Sequence, residues 1–286
     1  AGIYGGIGLI NTPSARFDKD GEFTFGVSND DPFNRLYAKM QWLPWLEVVV
    51  RYSELENTSY EGMDQTAKDK GIDVKIRLFE ETQYIPDIAM GILDLGGNGY
   101  FSSEYLVATK NFKNVDFNIG MGWGKLNGKA HLGNPLGALL STFDSRSSSN
   151  DAYGGGLNLS TLFSGKTASV FAGLEFFTPI IPNLSLKLEY DTTDYTYSLN
   201  QEEKDFRKAG DLFRLDSDFN IGLNYRINTS ERDKVDLSLG FVRGNTVYAN
   251  FSVHSNLNFS GTPNYIAPPE TLNIPYLAPI SELNDE

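Results

Sequence analysis

In the stretch Val115-Asp-Phe-Asn-Ile-Gly-Met-Gly-Trp123, the residues Val115, Phe117, Ile119, Met121 and Trp123 fall on one side of an extended chain and Asp116, Asn118, Gly120 and Gly122 on the other. Successive side chains of a strand point to opposite faces, so this is a strand with one apolar and one polar side. The same period returns in residues 72–79, where Ile72, Val74, Ile76 and Leu78 oppose Asp73, Lys75 and Arg77, and again in residues 184–191 and 218–227. No window of about 18 apolar residues occurs, which excludes a transmembrane helix. Ala1-Gly-Ile-Tyr-Gly-Gly6 shows no basic stretch followed by an apolar one. Two all-β readings remain: a sheet half-buried in water, or the wall of a membrane barrel.

Composition agrees with the period. The chain has 286 residues with 28 Gly, 15 Tyr and 19 Phe. A disordered chain lacks such aromatic content, and a helical bundle rarely tolerates so much glycine. Lys and Arg number 24 against 37 Asp and Glu, a formal net charge of −13, which argues against nucleic acid because phosphate recognition needs a basic stripe. The alternating segments carry near-balanced charge, and much of the surplus acid lies in loops and the C-terminus, among them Glu54, Glu61, Glu202, Glu282 and Glu286. Cysteine is absent, which removes thiol catalysis, disulfides and thiolate metal sites.

Alternation alone does not say whether the apolar face meets a core or lipid. Aromatic residues decide part of it: Trp42, Trp45, Tyr52, Trp123, Tyr190 and Tyr225 sit toward the ends of the apolar stripes, where membrane-interface girdles place them. The connections decide more. Twelve strands are predicted at 22–28, 34–43, 45–53, 71–79, 87–95, 102–110, 115–124, 166–178, 184–192, 218–227, 235–243 and 246–254. Every long connection then falls in one alternate set and the other set is uniformly short, the sidedness of an outer-membrane barrel with short periplasmic turns and long external loops. An even count puts both termini on the periplasmic side. Counting residues 153–163 as a strand would invert this order, so they are assigned to one long external or lumen-entering segment, 125–165. The expected organisation is an N-terminal periplasmic or lumen segment at 1–21, a transmembrane antiparallel β-barrel at 22–254 and a Pro-rich periplasmic tail at 255–286. A twelve-stranded barrel has a backbone diameter of roughly 24 Å, wide enough to pass an extended polymer or to be plugged by the 125–165 segment.

The chain carries the collinear motifs Gly8-Leu-Ile-Asn-Thr-Pro-Ser-Ala-Arg16, Pro32-Phe-Asn-Arg35, Leu43-Pro-Trp-Leu-Glu47, Arg51-Tyr52, Gly71-Ile-Asp-Val-Lys75, Gly91-Ile-Leu-Asp-Leu-Gly-Gly-Asn-Gly99 leading into Phe101-Ser-Ser-Glu-Tyr-Leu-Val-Ala-Thr-Lys110, Gly122-Trp-Gly124, Gly222-Leu-Asn-Tyr-Arg226 and Leu239-Gly-Phe-Val-Arg-Gly-Asn245. Together they resemble the YjbH family of outer-membrane proteins associated with exopolysaccharide production. The resemblance implies a Gram-negative outer-membrane protein that moves a secreted polysaccharide across the membrane or organises it there. Many relatives continue into a second barrel-like half. Either this chain is a single-barrel member or a partner supplies that half, and the tail, with Thr262-Pro-Asn-Tyr-Ile-Ala-Pro-Pro269 and Ile274-Pro-Tyr-Leu-Ala-Pro279, is a docking segment for another envelope protein or an ordinary disordered terminus.

If the apolar stripes face lipid, Arg35, Lys39, Glu47, Arg51, Asp73, Lys75, Arg77, Glu104, Lys110, Asp116, Lys187, Glu189 and Arg226 project into the lumen. They would bind or steer a charged glycan, or else pair with one another across neighbouring strands. Loop aromatics Tyr60, Tyr153, Tyr195, Tyr197 and Phe206 could stack on sugar rings or simply anchor loops. His254 and Ser252 share a strand face, the minimum for a nucleophile beside a base, but no acid is placed by sequence to orient the histidine. No metal-ligand spacing is present, and neither metal nor cofactor is expected. The leading expectation is a non-enzymatic barrel in exopolysaccharide export or assembly, with outer-membrane lipid or lipopolysaccharide around it and a polysaccharide as its cargo. The alternatives are a small-solute porin and a plugged barrel acting as a structural partner in an envelope complex.

Overall fold

The computed structural model describes residues 1–59, 66–96, 101–146, 162–196 and 213–258. Tyr60, Tyr153, Tyr197, Phe206, most of the alternative strand at 153–163 and nearly all of the Pro-rich tail lie outside these residues. The long strands are β1 (Glu22–Asp30), β2 (Phe33–Leu43), β3 (Leu46–Ser59), β4 (Thr66–Phe79), β5 (Asp87–Leu93), β6 (Ser103–Phe112) and β7 (Val115–Gly124). After the two-residue β8 (Leu132–Gly133) and the short helix α1 (Pro135–Leu139) come β9 (Thr167–Phe177), β10 (Leu184–Tyr190), β11 (Phe219–Asn228), β12 (Asp233–Val242) and β13 (Thr246–Asn256). Each long strand pairs antiparallel with its neighbour, β7 with β9, and β13 returns to β1, so the twelve long strands close a barrel with no free edge. Residues 153–163 are not needed to close it. β3 and β4 reach further into the long-loop end than their sequence pattern suggests.

The barrel is polar within and apolar without. Ile119 on the outward stripe is 58% exposed, whereas Arg51 and Lys75 on inward stripes are 1% and 2% exposed. A water-soluble barrel has the opposite arrangement, so the wall is built for lipid. Trp42, Trp45 and Tyr225 are exposed at the short-turn end. Phe79 and Phe112, which the alternation did not single out, join them there.

Three sequence assignments are corrected by register. Glu104 pairs with Ile92 and Trp123, and Lys110 with Phe117, so both charged residues stand on the outward stripe of β6. The inward stripe is Tyr105, Val107, Thr109 and Asn111. Lys110 lies against the β4–β5 turn, its Nζ 2.9 Å from Glu81 and donating to the Thr82 carbonyl. Trp123 is only 3% exposed because Phe163 meets it edge to face at 5.2 Å and Asn134 accepts its Nε1–H at 3.0 Å. It is therefore covered by the β7–β9 connection instead of joining an aromatic rim.

Inward glycines make room for rings across the ladder. Gly26 faces Tyr37, Gly91 faces Tyr105, Gly120 faces Phe171 and Gly240 faces Tyr248 in direct cross-strand pairs. A Cβ at Gly91 would sit 2.2 Å from the Tyr105 ring. Gly91→Val is therefore expected to destabilise the barrel by about 1–3 kcal/mol, the usual range for overpacking. The change should appear as a lower temperature for loss of the compact electrophoretic form, partly restored by adding Tyr105→Ala.

Residues 1–17 run inside the barrel. Ile3, Tyr4 and Ile10 pack with Phe33, Leu55, Phe101, Tyr195, Val242 and Tyr248. Ala15 and Phe17 pack with Ala89, Tyr105, Val107, Leu126 and Phe171. These two clusters are the apolar core, and both lie within the lumen.

Candidate functional site: the occupied lumen

The N-terminal segment, here the plug, makes no ladder with any wall strand. Its one internal bridge joins Gly8 and Pro13, with the Leu9 N–H donating to the Thr12 carbonyl at 2.9 Å. A buried backbone must still satisfy its polar groups, and here charged wall side chains do so. Glu189 accepts the N–H groups of Ile10, Asn11 and Thr12 at 2.9, 2.8 and 3.1 Å and the Thr12 hydroxyl at 2.8 Å. Lys187 donates to the Gly8 and Leu9 carbonyls at 3.0 and 3.1 Å. Across the lumen, Lys75 donates to the carbonyls of Ile7, Ser14 and Arg16, and Thr109 accepts the Ala15 N–H at 2.8 Å. Hydrogen bonds with one charged member are roughly twice as strong as neutral ones, so the loop of residues 7–16 is held on both sides.

Toward the short-turn end the plug contributes its own cation. Arg16 reaches Asp87 at 2.7 Å, Glu81 at 2.5 Å and Asp116 at 2.7 Å, and Asp18 pairs with Lys39. Toward the long-loop end Arg35 lies 4.7 Å from the Tyr4 ring and 4.6 Å from Phe33, and Arg51 lies 5.2 and 5.1 Å from Tyr4 and Phe101. Such contacts are worth up to about 2 kcal/mol when desolvated. Lys125, just past β7, sets its Nζ 3.9 Å from the Phe101 ring centre. Burial, reinforced by the Arg35 and Arg51 charges, pushes its ammonium well below the usual lysine range. A cavity of about 40 Å³ between plug and wall, lined in part by Tyr4, Ile7, Thr12, Glu47 and Tyr105, suits ordered water.

The structure therefore places Arg35, Lys39, Glu47, Arg51, Asp73, Lys75, Arg77, Asp116, Lys187, Glu189 and Arg226 on the inward face and shows what they touch. Some pair across strands: Arg35 with Asp30, Arg51 with Asp73, Lys75 with Glu47 at 3.2 Å, and Arg226 with Asp236 at 2.7 Å. Others hold the plug, as Lys75, Lys187, Glu189 and Asp116 do, and Arg77 covers the Phe17 ring at 4.6 Å. Tyr195 is a buried lumen residue whose hydroxyl donates to Asp191 at 2.7 Å. The plug follows no 2.0 or 3.6 period, so the alternation that identifies the strands carries no trace of its partners.

His254 stands 3.0 Å from the Ser252 hydroxyl through Nε2, and Asp236 approaches the same nitrogen at 3.2 Å, while Nδ1 faces the Thr24 hydroxyl at 2.9 Å. A hydrolytic relay needs an acid hydrogen-bonded to the ring nitrogen opposite the nucleophile; Glu22 lies on that side but 3.8 Å from Nδ1, beyond hydrogen-bond reach, and the Thr24 hydroxyl holds Nδ1 instead. Asp18, Glu22 and His254 bring ligand-type atoms within 4.8 Å of one another. Lys39 on Asp18 and Lys234, 2.8 Å from Glu22, already occupy the two carboxylates.

Comparison with known proteins gives three results. The model of a family described as "YjbH: Exopolysaccharide biosynthesis protein YbjH" matches residues 1–284. A curated relative, "Uncharacterized lipoprotein YjbH" of Escherichia coli (strain K12), is 37% identical over 260 residues, covering 89% of this chain and 35% of the relative, so the chain spans about a third of that protein. Among solved structures, the KdgM porin in complex with disordered oligogalacturonate aligns with a TM-score of 0.42 and 8% identity over 82% of this chain and 98% of that one. The Acinetobacter baumannii outer membrane protein Omp33 aligns at 0.37 and 11% over 84% and 98%.

Proposed function

Since this chain belongs to the YjbH exopolysaccharide biosynthesis family, we propose that it serves that process as an outer-membrane barrel held closed by its own N-terminal segment and taking part in export or assembly of the polysaccharide. The short-turn end then faces the periplasm. The observation that carries the reading is the lumen itself, where Lys75, Lys187 and Glu189 bind backbone atoms of residues 7–16. A constitutive small-solute porin has no use for such a seal. With the plug displaced, the same wall offers Arg51, Lys75, Lys187 and Glu189 to a charged glycan. Their charges can be rehydrated in a wet bore, so leaving the plug is less costly than leaving a dry core.

The closed lumen also supports a second reading, a barrel that stays plugged and acts as a structural partner in an envelope complex. Two measurements on the full-length protein separate the readings. Liposomes containing it are expected to remain impermeable to a small neutral sugar, and rapid swelling would instead indicate a porin. Cells lacking the protein are expected to lose secreted polysaccharide and regain it with the wild-type chain. Equal recovery from a variant whose plug is cross-linked to the wall would favour the structural partner.

A further inference from the structure

The described parts of the β7–β9 connection, residues 125–146 and 162–166, lie on the outer face of the wall as well as at its mouth. Glu104, on the outward stripe of β6, is fully buried because Arg146 donates to it at 2.6 and 3.0 Å and the Phe163 N–H at 3.0 Å. Its cross-strand neighbour Trp123 is held by Asn134, whose amide also donates to the Phe143, Phe163 and Gly165 carbonyls. β8 pairs with the end of β9 through Leu132 and Ala168, and the β7–β9 ladder stops at Gly122 and Ser169. Past that point β8 takes the place of β7 beside β9.

Residues 130–143 contain no Asp, Glu, Lys or Arg in a chain that is 21% charged, yet Leu139 and Leu140 are 78% and 61% exposed. An uncharged stretch with two bare leucines is unfavourable in water. The stripe it continues is lipid-facing: Leu106 and Ile119 lie on the same outward faces of β6 and β7. Beside it, His131, Tyr190 and Phe219 form a ring cluster with centroids 5.9 and 5.4 Å apart, the chemistry of a membrane interface. We propose that residues 130–143 are a strap that seats Leu139 and Leu140 among the acyl chains of the leaflet at the long-loop end. The lipid surface, acting on this apolar patch as on an interfacial helix, then helps hold the cover over Glu104 and Trp123. This rests on the barrel lying in a membrane.

The chain has no cysteine, so single labels are unambiguous. Leu139→Cys in the full chain, carrying a polarity-sensitive fluorophore and reconstituted in phospholipid vesicles with acyl-chain nitroxides, is compared with Ile119→Cys on the wall and Glu231→Cys in a short turn. Retention of the compact electrophoretic form checks folding. The expected result is nitroxide quenching at Leu139 at least half that at Ile119, with aqueous iodide affecting only Glu231. Iodide quenching at Leu139, or insensitivity to both quenchers, overturns the strap while leaving the barrel intact. Iodide quenching at Ile119 removes the membrane wall itself, and the strap with it.

Discussion

Glu189→Ala is expected to loosen the plug and turn a silent barrel into one that conducts ions. The substitution leaves the N–H groups of residues 10–12 and the Thr12 hydroxyl without their acceptor. It also leaves the Asn220 amide, which donates to the same carboxylate at 2.8 Å, without this partner. An unsatisfied buried donor costs about 1–3 kcal/mol, and water entering the lumen limits the sum. A net loss of about 2–4 kcal/mol from the closed state corresponds to roughly 30- to 1,000-fold more open barrel, at about 1.4 kcal/mol per factor of ten. Planar-bilayer recordings of the wild-type chain and the variant read this directly, and Glu189→Gln, which keeps one acceptor oxygen, should fall between them. Equal conductance from all three would mean that the carboxylate does not hold the segment.

The second large effect lies on the other face of the wall. Leu223 is at mid-height on β11, outward and exposed, and Ile227 is on the same face close to the short-turn end. In a bilayer Leu223→Arg is expected to destabilise the barrel by about 2–4 kcal/mol and Ile227→Arg by no more than about 1 kcal/mol, because the cost of a lipid-facing cation falls from midplane to interface. Reversible unfolding in urea with lipid vesicles measures both. If water surrounded this face, both changes would sit on an exposed surface and differ by less than about 0.5 kcal/mol.

Much of this architecture is legible in the sequence because a strand with unlike faces writes its period into every second residue. Val115–Gly124, with the bounds the alternation gives, and Phe219–Asn228, expected at 218–227, are such cases. β6 is less transparent because both of its faces carry apolar residues: Leu106 and Ala108 meet the outside, while Tyr105 and Val107 pack against the lumen cluster around Phe17. Charge then misplaced Glu104 and Lys110, since a charged residue on an outward stripe becomes tolerable only through partners such as Arg146 or Glu81 that lie far away in sequence. The role of Gly8–Arg16 is hidden for another reason. Many of its contacts are made by backbone atoms, to side chains whose alternation says only that they point inward. The lumen charges were open to two readings, cross-strand pairing or ligand contact. The structure shows pairing at Arg51 and Arg226, and at Lys187 and Glu189 a ligand that is the chain's own N-terminal segment.

Closure by residues 1–17 is tested most directly by hydrogen–deuterium exchange of the full-length protein in lipid nanodiscs, followed on peptides covering residues 3–17. The expected result is protection of the Ile10, Asn11, Thr12 and Ala15 amides comparable to that of the β10 and β11 ladder, with protection of residues 10–12 lost in Glu189→Ala while the ladder stays protected. Exchange of residues 3–17 at the rate of a free peptide, with the strands still protected, would contradict the closed lumen.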